Sequence, residues 1–139
     1  MKISAGILVR YKNKYLLCHP TNSAWFGTYS PPKGLLDDNE DVKDGAIREF
    51  FEETGILIKK ELLKTEPIEI LYNKKKAIYK KAYIFQLTIN DLSDIGMASD
   101  VIDRSQLQLS EIDWCGFVKR KEAHRRIFWR FEHLIDDKK

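Results

Sequence analysis

The sequence predicts one mixed α/β domain. Strand-like apolar runs alternate with two helical stretches. No internal repeat, low-complexity tract or interdomain linker divides the chain. Its 139 residues suit a single domain with its own core, so we place the domain at 1–139.

The elements follow in order. The runs KISAGILVRY and KYLLCHP flank Lys12-Asn13-Lys14 and read as a hairpin. TNSAWFGTYSPPKG is rich in turn formers, and its Pro-Pro pair cannot lie inside a helix. A helix is predicted from about Asp41 to Thr54, with Gly55 as its C-terminal cap. GILIKKELLKTEPIEIL reads as strand segments around a turn near Glu66-Pro67, and KKAIYKKAYIFQLTI as a strand. NDLSDIGMASDVIDRSQLQLS is a polar loop region without a clear period. EIDWCGFV is a short strand. KEAHRRIFWRFEHLI closes the chain as an amphipathic helix, with Ile127, Phe128, Phe131, Leu134 and Ile135 facing the core.

Composition narrows the class. Hydrophobic content of 43% and aromatic content of 12% belong to a folded globular protein. No apolar run approaches the ~20 residues of a membrane span, and the N-terminus lacks a signal-peptide pattern. Cys18 and Cys115 lack metal-like spacing and sit in apolar runs, so buried free thiols in a reducing cytoplasm are expected. The net charge of +3 conceals a separation. Gly34–Gly55 holds eight acids, while Lys74–Lys76 with Lys80 and Lys81, and Lys119–Lys121 with Arg125, Arg126 and Arg130, form basic clusters. An acidic pocket in a basic frame suits a cation plus a polyanionic substrate, and no partner membrane is implied. No residue pattern specifies an oligomeric state.

The acidic stretch gives the chemistry. At 100° per residue, Ile47, Phe50, Phe51 and Thr54 share one helix face, expected to dock on the sheet. Glu49, Glu52 and Glu53 gather on the opposite side, where unpaired carboxylates repel. A hard divalent cation removes that repulsion and bridges to phosphate oxygens.

Gly34, Glu40, Arg48-Glu49, Phe50, Glu52-Glu53, Gly55 and Ile56 are spaced as G-x5-E-x7-R-E-U-x-E-E-x-G-U. This resembles the full signature of the Nudix hydrolases; Phe50 departs softly, being aromatic where an aliphatic residue is usual. The resemblance implies an α/β/α sandwich with a mixed sheet, a signature loop-helix-loop and a C-terminal helix. It implies hydrolysis of a pyrophosphate linkage with Mg²⁺, or alternatively Mn²⁺. Glu52 and Glu53 correspond to the principal metal ligands, Glu49 to a ligand or general base, and Gly34 to a carbonyl ligand. Glu40 and Arg48 correspond to orienting residues. A distal-loop acid often joins; Glu111 is the first candidate, with Asp100 and Asp103 behind it.

Flanking residues bear on substrate. SPPKG, after Trp25, Phe26 and Tyr29, resembles the Pro-Pro-Lys-Gly segment of diadenosine-tetraphosphate hydrolases in this family, as does LSEIDWCGF. Lys33 would then place a cation beside a long polyphosphate. Tyr79, Lys81, Tyr83 and Phe85 alternate onto one strand face, and Tyr83 is the candidate for stacking a base. The Lys74–Lys76 run reads as a solvated loop, and His19, His124 and His133 receive no role. The leading expectation is cleavage of dinucleoside tetraphosphate to ATP and AMP. The alternatives are 5′-RNA pyrophosphohydrolysis, (d)NTP sanitation, and cleavage of nucleotide sugars or inositol pyrophosphates. A non-catalytic nucleotide-binding module should have lost glutamates that this chain keeps.

Overall fold

Alternation along two paired strands sends side chains into two separate cores, and this sets the architecture. The computed structural model describes residues 1–135. The strands are β1 (Lys2–Tyr11), β2 (Lys14–Pro20), β3 (Lys33–Leu35), β4 (Ile68–Lys74), β5 (Ala77–Ile89) and β6 (Ile112–Lys119). They form one sheet in the order β4-β5-β1-β2-β6, with β3 also on β1. β1 and β5 are parallel and the other pairs antiparallel, so the sheet is mixed.

Helix α1 (Val42–Thr54) covers one face, where Ala46 and Phe50 meet Ala5, Ile7, Val9 and Phe85. Helix α2 (Arg120–Arg126) and the segment after it cover the other, where Ala123 and Phe131 meet Leu8, Leu17 and Ile84. The expected three-layer arrangement is therefore present. No helix among the described residues is long and apolar enough to cross a membrane. Cys18 and Cys115 are buried free thiols, as expected. Lys75 and Lys76 form the exposed positive-φ turn between β4 and β5, as read for that run.

Four local readings change. Strand β3 arises inside the supposed turn region because Gly6 of β1 lets the chain approach; a Cβ there would lie 2.5 Å from Pro32 O and from Lys33 Cβ. Residues 56–67 form no strand, only a 3-10 turn at Lys60–Leu62, because Ile56, Ile58 and Leu63 plug the core beneath α1 as single anchors. The polar region after β5 holds 3-10 turns at Leu92–Ile95 and Arg104–Gln106, and it buries Ile95, Met97, Ile102 and Leu107. The C-terminal helical segment is present but split. Ile127 and Phe128 are extended (ψ 145 and 136), and a 3-10 turn follows at Trp129–Leu134. Arg126 O accepts from Thr28 N and Tyr29 N while Phe128 N donates to Tyr29 O, which takes backbone groups from a continuous helix. The apolar residues predicted to face inward still do so: Ile127, Phe131, Leu134 and Ile135 are buried and Phe128 is half-buried.

The orientation of α1 also differs. Ala46, Phe50, Glu53 and Thr54 point inward, whereas Phe51, expected on the docking face, is 50% exposed. The helix is rotated so that its acidic edge turns toward β3, and this rotation brings the chemistry into the fold.

Candidate active site

Helix α1 is fixed at both ends. The Asp41 side chain accepts from Asp44 N at 3.1 Å, and Gly55 closes the helix at φ 76, where a Cβ would strain. Between these caps Arg48 organises the carboxylates. Its Nε and Nη2 donate to the two oxygens of Glu40 at 2.8 and 2.9 Å. Its Nη1 donates to Glu49 at 3.0 Å and to Glu52 at 2.9 Å, and Nη2 also reaches Leu35 O at 3.1 Å. The Arg48 fork holds the Glu40 carboxyl below its ordinary range, and Glu40 in turn pushes the guanidinium pKa upward.

Glu49 and Glu53 experience the opposite push. Burial raises Glu49, and burial raises Glu53 to about 8 with the charges of Glu49 and Glu111 adding. Glu53 is 8% exposed, and one of its oxygens accepts from Lys33 N at 3.2 Å. Gly34 lies so close to Glu49 that a Cβ would collide with the carboxylate. The signature residues Gly34, Glu40, Arg48, Glu49, Glu52 and Glu53 thus meet at one place.

That closeness makes a prediction. Gly34→Ala should push the Glu49 carboxylate aside and cost about 10–100-fold in activity, with folding retained. Steady-state rates beside circular-dichroism melts check it; an unchanged kcat would refute it.

Of the distal acids, Glu111 is exposed, and its backbone is fixed by Thr21 N donating to its carbonyl at 3.0 Å. Gln108, whose carbonyl accepts from Glu111 N, donates to Glu53 O at 3.2 Å. Asp100 instead pairs with Lys14 at 2.7 Å, and Asp103 caps a 3-10 turn through Ser105 N.

The four residues expected to bind substrate separate. Cross-strand register aligns Gly34, Ala5, Tyr83 and Glu69 in one row, and Lys33, Gly6, Ile84 and Ile68 in the next. Adjacent rows face opposite sides. Tyr83 and Lys81 therefore lie on the α1 side, where both contact Glu69 at 3.1 and 3.2 Å. Lys33 reaches the other side, with Nζ 5.6 Å from the Phe131 ring, and burial lowers its pKa. Tyr79 does not share the Tyr83 face as the alternation predicted. Tyr79 is itself the extra residue of a bulge between Lys80 and Ile78, which breaks the alternation, and its ring meets Tyr72 edge-on at 6.2 Å.

The surroundings of Lys33 lie outside what spacing along the chain predicts. Tyr72 and Phe128 have nearly parallel rings, 18° apart with centroids at 6.4 Å, toward the wide end of the ~4.5–7 Å typical of aromatic pairs. Arg130 lies 5.2 Å from the Tyr72 ring, and its guanidinium is fixed by Leu71 O and Asn73 at 3.1 Å each. Lys80 Nζ lies 4.9 Å from the same ring. A cleft on this face, of about 500 Å³, is lined by Trp25, Tyr29, Trp114 and Phe117 with Lys119, Arg126 and Glu122, the last accepting from Arg126 Nε at 2.9 Å. Trp25 is stacked at 3.9 Å on His19, whose Nδ1 lies 2.6 Å from Asp113. His19, given no role from sequence, thus supports one wall of that cleft. Phe128 packs on the core as helical spacing predicts and also faces Tyr72; the clue to the second role is Arg130 flanked by aromatics.

Comparison with known proteins agrees with this fold. The NUDIX domain profile matches residues 1–127. No curated protein sequence matches the chain. Among solved structures, the Ap4A hydrolase of C. elegans in a binary complex superposes with TM-score 0.60 at 22% identity, over 89% of this chain and 84% of that one. The NUDIX domain of Shewanella oneidensis NrtR, complexed with ADP ribose, gives 0.68 at 13% identity, over 96% and 82%. A bifunctional NMN adenylyltransferase/ADP ribose pyrophosphatase from Francisella tularensis, complexed with AMP and a manganese ion, gives 0.60 at 17% identity, over 96% and 40%. At these identities the likeness is one of fold.

Proposed function

The chain belongs to the Nudix family of pyrophosphohydrolases, and from that premise we propose that its substrate is a dinucleoside tetraphosphate, cleaved asymmetrically to ATP and AMP. The observation that carries this choice is the pair of aromatic and basic sites on the Lys33 side of the sheet. One is the Tyr72–Phe128 pair with Arg130 and Lys80, and the other is the Trp25–Trp114 cleft with Lys119 and Arg126. A substrate with a base at each end of a polyphosphate can use both, whereas a mononucleotide needs one. The Ap4A hydrolase among the similar folds supports the reading.

The donor set fits a divalent cation. It is all oxygen, two of its carboxylates are desolvated, and Gly34 lets one of them approach the backbone, which suits Mg²⁺, with Mn²⁺ as the alternative. Among the described residues no three acidic, His or Cys side chains enclose a cation site, and Arg48 engages the carboxylates of Glu49 and Glu52. Glu49, Glu52, Glu53 and the Gly34 carbonyl would hold the ion, which supplies charge neutralisation at the phosphate oxygens.

The protein's own groups supply the rest. Ionised Glu53 or Glu49 accepts a proton from the attacking water, and Arg48 keeps the carboxylates in register. Lys33 meets the polyphosphate, its buried ammonium gaining more from an anion there than in water. Glu111 completes the acid set from the distal loop. In this reading Tyr83 and Lys81 would contact the substrate from the α1 side of the sheet. A cytoplasmic location is part of this proposal, on the strength of the free thiols.

The second reading is 5′-RNA pyrophosphohydrolysis, favoured by the Trp25–Trp114 cleft next to the basic surface of α2. Incubation with Mg²⁺ and a panel of dinucleoside polyphosphates, (d)NTPs, nucleotide sugars and 5′-triphosphorylated RNA decides between them. ATP plus AMP from diadenosine tetraphosphate supports the proposal, and preferred turnover of RNA overturns it. Phe128→Ala should raise KM for the dinucleotide about tenfold with little change in kcat, since one base stack contributes ~1–3 kcal/mol and Phe128, unlike the buried Tyr72, is half-exposed. An unchanged KM would remove Phe128 from the substrate site.

A further inference from the structure

The fold leaves one pair of reactive groups without a task. Cys18 of β2 and Cys115 of β6 are register partners 97 positions apart in sequence, and their Sγ atoms lie 2.8 Å apart. Both belong to the core beneath α1. Backbone bonding defines the kind of pair they form. Cys18 N donates to Ser30 O at 2.8 Å and Cys18 O accepts from Ser30 N at 3.1 Å. Cys115 O accepts from Ile102 N at 2.9 Å. The bonding groups of Cys18, and the Cys115 carbonyl, point away from the partner strand. This is therefore a non-hydrogen-bonded antiparallel pair, the kind in which Cα atoms approach to ~4.5 Å and side chains come closest. That spacing lies within the ~4.4–6.8 Å Cα range of disulfides.

From this geometry we propose that Cys18 and Cys115 are an oxidation site, forming an intramolecular disulfide across β2 and β6 when a low-molecular-weight disulfide is supplied. One Cys thiolate attacks a sulfur of oxidised glutathione and releases one reduced glutathione. The other attacks the resulting mixed disulfide and releases the second. The two protons from the cysteines pass to the released thiolates, the protein is oxidised by two electrons, and the glutathione is reduced. Full burial, which also pushes the Cys18 thiol pKa up, makes the step wait for a local opening of the sheet edge.

The bond would sit behind the site. Ser30, bridged to Cys18, leads directly into Pro31-Pro32-Lys33, and Thr21 beyond β2 holds the Glu111 carbonyl. The charges of Glu53 and Lys33 both act on Cys18. A staple here ties β2, to which the segment leading into Lys33 is bridged, to β6, which follows the distal acid directly.

The whole protein is equilibrated natively in glutathione buffers of rising oxidised fraction, quenched with N-ethylmaleimide in denaturant so that both buried thiols are reachable, and weighed intact. The expected result is a species lacking two hydrogens and taking up no maleimide, with a higher Tm than the reduced protein. Cys115→Ser should lose that species, and so should Cys18→Ser. Two maleimide adducts at the most oxidising ratio, or a stable glutathione adduct on wild type, would overturn the proposal. If a serine variant melts too low to assay, Cys115→Ala provides the same mass readout with the apolar contact kept.

Discussion

Glu53→Gln is expected to reduce turnover by about 10²–10⁴-fold while stabilising the ion-free protein at alkaline pH. Both effects come from one carboxyl. It is buried and next to Glu49, so its pKa is raised to about 8. The folded state keeps a proton there that the unfolded chain releases near its ordinary carboxylate value. The unfolded state thus binds fewer protons across this window, and stability falls as pH rises. The contribution is complete below the unfolded pKa and is lost as pH rises through about 8. It amounts to at most ~5 kcal/mol. Wild type without divalent ions should therefore melt lower at pH 9 than at pH 6, and the Gln variant should show little of that slope. Mg²⁺ should restore wild-type stability at high pH, with proton release on binding, and should do so weakly in the variant. Scanning calorimetry in chelator and in Mg²⁺ makes the measurement; a flat pH profile for ion-free wild type would refute the assignment.

Arg48→Lys is expected to cost about 10–100-fold in kcat/KM even though charge is conserved. An ammonium cannot reproduce the two parallel bonds to Glu40 while also reaching Glu49, Glu52 and the Leu35 carbonyl. With the fork gone, Glu49 and Glu52 repel without a fixed partner between them. The defect should be partly relieved by raising the Mg²⁺ concentration, because it is one of ligand placement. Activity titrated against Mg²⁺ tests this, and a loss indifferent to the ion would assign Arg48 a different task. Glu40→Gln should follow the same pattern more weakly, since it removes the charge that anchors the Arg48 fork but leaves one hydrogen-bonding oxygen.

The site was legible in sequence to the extent that its residues are close in the chain. Gly34 to Ile56 carries its own caps, its glutamates and its orienting arginine within one loop and one helix, so spacing alone assembles them. The wheel separated an apolar from an acidic side but misjudged the rotation. It set Phe51 inward, whereas the helix turns Glu53 inward and leaves Phe51 in solvent. Periodicity reports which residues are apolar; packing against β3 and the 56–63 segment decides which edge is buried. Alternation along β5 failed at Tyr79 for a similar reason, since a bulge is a property of two strands together.

By itself the sequence determined the mixed α/β class, the acidic loop-helix-cap unit and the family chemistry. All of these depend on local spacing and on the side-chain periods of helix and strand. Only the tertiary structure decided which residues meet across the sheet. Register sent Lys33 and Tyr83 to opposite faces. The break after α2 brought Phe128 opposite Tyr72. Antiparallel pairing set Cys18 against Cys115 from 97 positions away. Contacts of that kind come from long-range pairing, whose partners are fixed by the burial of whole strands and leave no mark on the local pattern of either one.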